Sequence, residues 1–133
     1  MEKHSKVNGK IIVGLTEKIS FESGNGAGKE IAAKIDTGAT RSSIDIKLAS
    51  KLNLGPIIKS KMVKSAHGNK LRPIVEAKIL LAGEKIDSEF TLADRTHMKY
   101  AVLIGVNVLK KGFLVDPSKK WKTQILLKFE TNE

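Results

Sequence analysis

Ile31-Ala32-Ala33-Lys34-Ile35-Asp36-Thr37-Gly38-Ala39-Thr40-Arg41-Ser42-Ser43-Ile44 is a strand-like run that delivers a single carboxylate and then turns. Glu30 to Asp36 reads as the strand, Thr37-Gly38-Ala39 as the turn, and Arg41 to Ile44 as renewed extended chain. An aspartate at such a bend ordinarily accepts hydrogen bonds from the backbone N–H groups behind it. Far downstream, the apolar run Val102-Leu103-Ile104 stops at Gly105 in the same way. Two apolar strands that end at small turn residues are the feature around which the chain is organised.

Working outward, Asp45 is placed to cap a short helix with Ile44, Leu48, Ala49 and Leu52 on one face and Gly55-Pro56 closing it. Ile57 to Lys64 and Lys70 to Leu81 form the arms of a hairpin with Ser65, Ala66, His67, Gly68 and Asn69 at its tip. A turn at Ala82-Gly83 leads into Ile86 to Leu92, which alternates apolar and polar residues as a half-buried strand does. Tyr100 to Ile104 is a core strand. Val106 to Lys111 makes one or two helical turns that Gly112 stops. Phe113 to Pro117 and Gln124 to Phe129 are further strands. Upstream, Lys10 to Leu15 is one more, and Ser23 to Gly28 is a hairpin connection. That glycine-rich segment lacks the Gly-Lys-Ser/Thr and following helix of a phosphate cradle. The expected fold is mostly β, a closed barrel or folded sheet with one or two short helices.

At 133 residues the chain suits one domain spanning 1–133, with Met1 to about Gly9 as a flexible lead-in. Hydrophobic content of 41% is ordinary, and no apolar run approaches the roughly 20 residues that span a bilayer. The first residues show neither a long apolar region nor a small-residue cleavage site, so no signal peptide is expected. The absence of cysteine excludes disulfides and thiolate chemistry and fits a cytoplasmic protein. Net charge is +10, and between Asp45 and Glu76 Lys47, Lys51, Lys59, Lys61, Lys64, Lys70 and Arg72 carry no acidic counterpart. This run reads first as a solvated face and second as an attraction for acidic polypeptides. The scattered aromatics argue against nucleic acid, because a single-strand binder sets stacking platforms beside its charge.

Asp36-Thr37-Gly38-Ala39, the wide hairpin and Leu103-Ile104-Gly105 before a short helix resemble, in that order, the retropepsin-like aspartic proteases. The resemblance is closer to a bacterial and archaeal domain family labelled ATP-dependent zinc protease. Lys34 to Ile44, Thr96 to Gly105, and Gly112-Phe113-Leu114-Val115-Asp116-Pro117-Ser118 carry it, so it extends from Ile11 to Ser118. It implies a retropepsin-like lobe in each chain and hydrolysis of peptide bonds by water activated between two Asp36 carboxylates. The chain holds a single Asp-Thr-Gly, so the second carboxylate must come from a homodimer formed through the Asp36-Thr37-Gly38 loop. In such a site Thr37 locks the two loops, Gly38 admits substrate, and residues 65–69 form a flap over a peptide or protein substrate.

Viral members place Arg after the second glycine and an acid four residues after the aspartate. Here those positions are Val106 and Thr40, so that bracing pair is missing from both ends. No cofactor is expected. The chain has no Walker-type loop, no His-Glu-x-x-His, and only His4, His67 and His97, widely spaced, so no metal site is expected. Two alternatives stand beside the endopeptidase: a non-proteolytic peptide-binding module on the same fold, and, behind it, a basic nucleic-acid binder.

Overall fold

The computed structural model describes residues 4–22, 28–66 and 68–119. In chain order its elements are β1 (Lys6–Val7), β2 (Lys10–Val13), β3 (Thr16–Phe21), β4 (Glu30–Ile35), β5 (Ser42–Asp45), α1 (Ile46–Lys51), β6 (Ile57–Ser65), β7 (Gly68–Leu81), β8 (Glu84–Ala93), β9 (Val102–Ile104), α2 (Val106–Leu109) and β10 (Phe113–Val115).

Short-range chemistry accounts for most of these boundaries. Asp45 caps α1 with its carboxylate, accepting from the Lys47 and Leu48 N–H groups, while Ala49 and Leu52 face the core. Ala82 and Gly83 both take positive φ, 51° and 84°, the geometry that a two-residue turn between twisted strands requires. Along β7, Val75, Ala77, Ile79 and Leu81 are buried while Glu76 and Lys78 are exposed, which is the alternation of a sheet with one wet face.

Longer-range pairing closes the sheet on itself. β3 runs antiparallel to β4, β4 parallel to β9, β9 antiparallel to β5, β5 parallel to β8, and β8 antiparallel to β7. β7 then returns to β3, with Ile79 to Leu81 opposite Phe21 to Ile19. The strands therefore form a ring, though not a clean barrel, since β7 serves β6 along its first half and β3 along its last residues. β1, β2 and β10 make a separate three-stranded sheet. Ile19, Phe21, Ile35, Ile44, Leu81, Phe90, Val102 and Ile104 fill the core, and Phe21 meets Phe90 edge-on at 5.5 Å between ring centroids.

The first strand expected from the sequence, Lys10 to Leu15, ends earlier, at Val13, and the chain turns at Gly14-Leu15 into β3. Thr16–Phe21 forms β3, and it carries a charged residue into the interior. Here the Glu17 carboxylate is 2% exposed and is satisfied by the Gly14 N–H at 2.7 Å, the His4 ring at 2.9 Å and the Lys119 ammonium at 3.3 Å. The hairpin tip is also tighter than expected. Lys64 pairs with Asn69 and Ser65 with Gly68, so the two arms run into the span read as its tip. His67, residues 23–27 of the glycine-rich connection, and the last expected strand at 124–129 lie outside the described residues. β3 and β4 nonetheless pair antiparallel on either side of that connection. No helix among the described residues is long and apolar enough to cross a membrane.

Candidate active site

β4 and β9 lie side by side and in parallel, so their C-terminal ends arrive together, with Ile35 opposite Ile104. The ladder runs one residue further, the Asp36 N–H donating to the Ile104 carbonyl at 2.9 Å. The chain then bends sharply. The Gly38 N–H donates to Asp36 Oδ1 at 2.8 Å and the Ala39 N–H to the Asp36 carbonyl at 3.3 Å. Asp36 is half-buried, whereas Thr37 and Gly38 are exposed. The carboxylate thus stands at the surface on a loop whose base is anchored in the core.

Gly105 interlocks with that loop. A Cβ at this position would lie 2.5 Å from the Arg41 carbonyl oxygen and 2.7 Å from that of Ala39, so only glycine fits. The Val106 N–H donates to the Ala39 carbonyl and the Asn107 N–H to the Thr40 carbonyl. Asp36, Thr37, Gly38 and Ala39 on one side and Leu103, Ile104 and Gly105 on the other are therefore brought into one assembly.

Three residues that sequence reading passed over complete the assembly. The fully buried Ser42 hydroxyl accepts from the Gly105 N–H at 2.9 Å and donates to Asn107 Oδ1 at 2.8 Å. The Asn107 amide then donates to the Ser88 hydroxyl and the Glu89 carbonyl, each at 3.0 Å. This chain of bonds ties the exit of the Asp36 loop to α2 and β8. The one available signal was a polar residue inside the otherwise apolar Val106-Asn107-Val108-Leu109 helix. Arg95 is the third. Its N–H donates to Asp45 Oδ1 at 2.7 Å, its Nε to the Tyr100 carbonyl at 2.9 Å and its Nη1 to the Ser43 hydroxyl at 3.4 Å. Nothing local in Asp94-Arg95-Thr96 announces those contacts.

The hairpin of β6 and β7 extends beyond the ring. Ala66, Gly68 and Asn69 are exposed there, away from the Asp36 loop in sequence but carried on the strand that flanks β8. Met62 lies opposite Leu71 and Lys61 opposite Arg72, so alternate pairs are apolar and basic. At the hairpin's base Lys59 Nζ meets Glu89 Oε2 at 2.9 Å. That contact, reinforced by Arg41 and Lys61, holds the Glu89 carboxyl below its ordinary value. Cations from the hairpin and from the residue that leaves the Asp36 turn thus act on one patch. Among the described residues no three His, Asp or Glu side chains gather into a group that could hold a metal ion.

A family model described as the retropepsin-like aspartic endopeptidase RimB matches residues 48–124. The span covers the hairpin, β8, β9, Gly105 and α2, and Asp36 lies just upstream of it. Among solved structures, a Legionella pneumophila protein of unknown function (DUF785) superposes with a TM-score of 0.60 at 22% identity, covering 84% of this chain and 97% of the other. The solution structure of simian foamy virus (mac) protease superposes with a TM-score of 0.53 at 18% identity, covering 71% of this chain and 91% of the other. These two likenesses establish a shared fold. No curated protein sequence matches the chain.

Proposed function

Because the chain belongs to the RimB-like family of retropepsin-like aspartic endopeptidases, we propose that it hydrolyses peptide bonds as a two-fold homodimer, with Asp36 of each copy facing the other. The observation that carries this reading is the Asp36 loop itself, a carboxylate anchored by its backbone to β9 and flanked by exposed Thr37 and Gly38. A second copy of the same surface would set a second carboxylate opposite the first.

Two carboxylates a few ångströms apart cannot both ionise, so such a pair holds one shared proton, as is general for aspartic proteases. The ionised Asp36 takes a proton from a water as that water adds to the substrate carbonyl carbon. The protonated Asp36 gives its proton to the carbonyl oxygen, so the tetrahedral species forms as a neutral diol. Collapse then returns one diol proton to a carboxylate while the other carboxyl protonates the departing nitrogen. The pair ends with one proton, as it began. Thr37 would bind the partner loop through its hydroxyl, and Gly38 would let the backbone approach the substrate. The tip at residues 65–69 would close as a flap that excludes water. Arg41, Lys59 and Lys61, gathered around Glu89, support a bias toward acidic polypeptides.

Asp36→Asn tests the reading directly. It keeps the shape of the loop and removes the base, so cleavage of a peptide library at mildly acidic pH should fall by on the order of a thousandfold while the dimer persists in sedimentation. An Asn variant that cleaves like the wild type ends the dyad mechanism. A second reading on the same fold is a peptide clamp that grips an extended chain by strand addition without cutting it. That reading predicts peptide binding by wild type and Asp36→Asn alike, with no product from either.

A further inference from the structure

We propose that Arg95 is the positioning residue of the Asp36 site, fixing the strand that anchors Asp36. The inference rests on the endopeptidase reading for its consequence in catalysis, but not for its geometry.

Arg95 is the second residue of the connection between β8 and β9 and folds back over it. Its Nε bond to the Tyr100 carbonyl ties the two ends of a six-residue loop together, inside which the Met98 N–H donates to the Arg95 carbonyl. Its Nη1 reaches the Ser43 hydroxyl in β5, and its own N–H binds the Asp45 carboxylate, which also caps α1. The Asp45 N–H in turn donates to the Ala101 carbonyl at 2.8 Å, immediately before β9. The bonds to the Tyr100 and Ala101 carbonyls fix the two residues that immediately precede β9. β9 pairs with β4, and the Ile104 carbonyl at its end receives the Asp36 N–H. The clasp and the carboxylate are thus two ends of one short strand.

Electrostatics points the same way. Arg95 is half-buried, and burial draws its pKa down while the carboxylates of Asp45 and Asp36 act to raise it. Asp45 is already committed to three N–H groups. The Asp36 carboxylate accepts from the Gly38 N–H. The other charged or titratable groups near the clasp are Lys47 at the start of α1 and Asp94, His97, Lys99 and Tyr100 on or beside the loop. Asp94 is occupied by the Thr96 N–H and hydroxyl. A guanidinium suits this place because it keeps its charge when partly desolvated and holds its donors in a rigid planar fork.

The test is the amide NMR spectrum of the full chain, run on wild type, Arg95→Gln and Arg95→Lys, alongside kcat and KM on a cleaved peptide. Loss of the clasp should shift the Asp36 amide, whose N–H donates to the Ile104 carbonyl, and lower kcat by about tenfold at nearly unchanged KM. Arg95→Lys, which keeps the charge but not the planar fork, should behave like Arg95→Gln. An Arg95→Gln variant that is folded and leaves the Asp36 amide at its wild-type position overturns the inference, even if Asp36→Asn is inactive. A shifted Asp36 amide in a chain that cuts no peptide upholds the inference and removes the endopeptidase reading instead.

Discussion

Gly105 and Ser42 show how little freedom the site has at single positions. The φ of Gly105, −103°, suits any residue, so the constraint is contact rather than backbone. In Gly105→Ala the new methyl must push away the carbonyls of Ala39 and Arg41, which belong to the segment directly behind Asp36. We expect a loss of about 1–3 kcal/mol in urea unfolding and near-complete loss of cleavage, the second effect exceeding what the unfolded fraction explains. Ser42→Ala acts by a different route. It leaves the Gly105 N–H and Asn107 Oδ1 without their partner in a buried setting. The expected cost is roughly 2–4 kcal/mol, read as a lower urea midpoint at unchanged m-value. A midpoint within experimental error of wild type would show that water replaces the hydroxyl.

At the scale of elements, the β6–β7 hairpin is held to the ring by strand pairing on one side and by the Lys59–Glu89 contact at its base. Both side chains are more than a third exposed, so the contact guides the hairpin's resting position more than it stabilises the fold. The folded Glu89 carboxyl lies below its unfolded value, chiefly through its bond to Lys59. Its contribution is therefore complete above the unfolded pKa and is lost as pH falls through the lowered one. Amide shifts of Lys59 and Lys61 should follow that acidic transition in wild type and stay flat in Glu89→Gln. Equal titration of both would assign the hairpin's pH response to another group. Much of this element was legible beforehand, because the run of β-forming residues and the turn chemistry are local. The tightness of the tip was not, since pairing of Ser65 with Gly68 depends on how far the two arms zip.

For the whole molecule, the decisive quantity is assembly. One chain presents one Asp36, and exposed Leu15 and Val106 bond through their backbones to Ile35 and Ala39, on either side of it. Sedimentation equilibrium at micromolar concentration should therefore find a dimer, and Asp36→Asn should not disperse it. A strict monomer would leave the carboxylate without its partner and withdraw the mechanism, though not the fold. The family match and the two structural likenesses bear on the chain as a folded unit and leave assembly to that measurement.

Local pattern alone determined the mostly-β architecture, the strand that delivers Asp36, the bend at Thr37-Gly38, the Asp45 cap and the apolar run closed by Gly105. Each depends on residues within a few positions of one another, where periodicity and turn preference act directly. Only tertiary structure decided the ring closure of β7 on β3, the burial of Glu17, and the two clasps that hold the site. The Ser42–Asn107 bond spans 65 residues and the Arg95–Ser43 bond 52. A hydrogen bond between distant residues leaves no period in the sequence, and a buried polar group reads as a solvated one until its partners are in place.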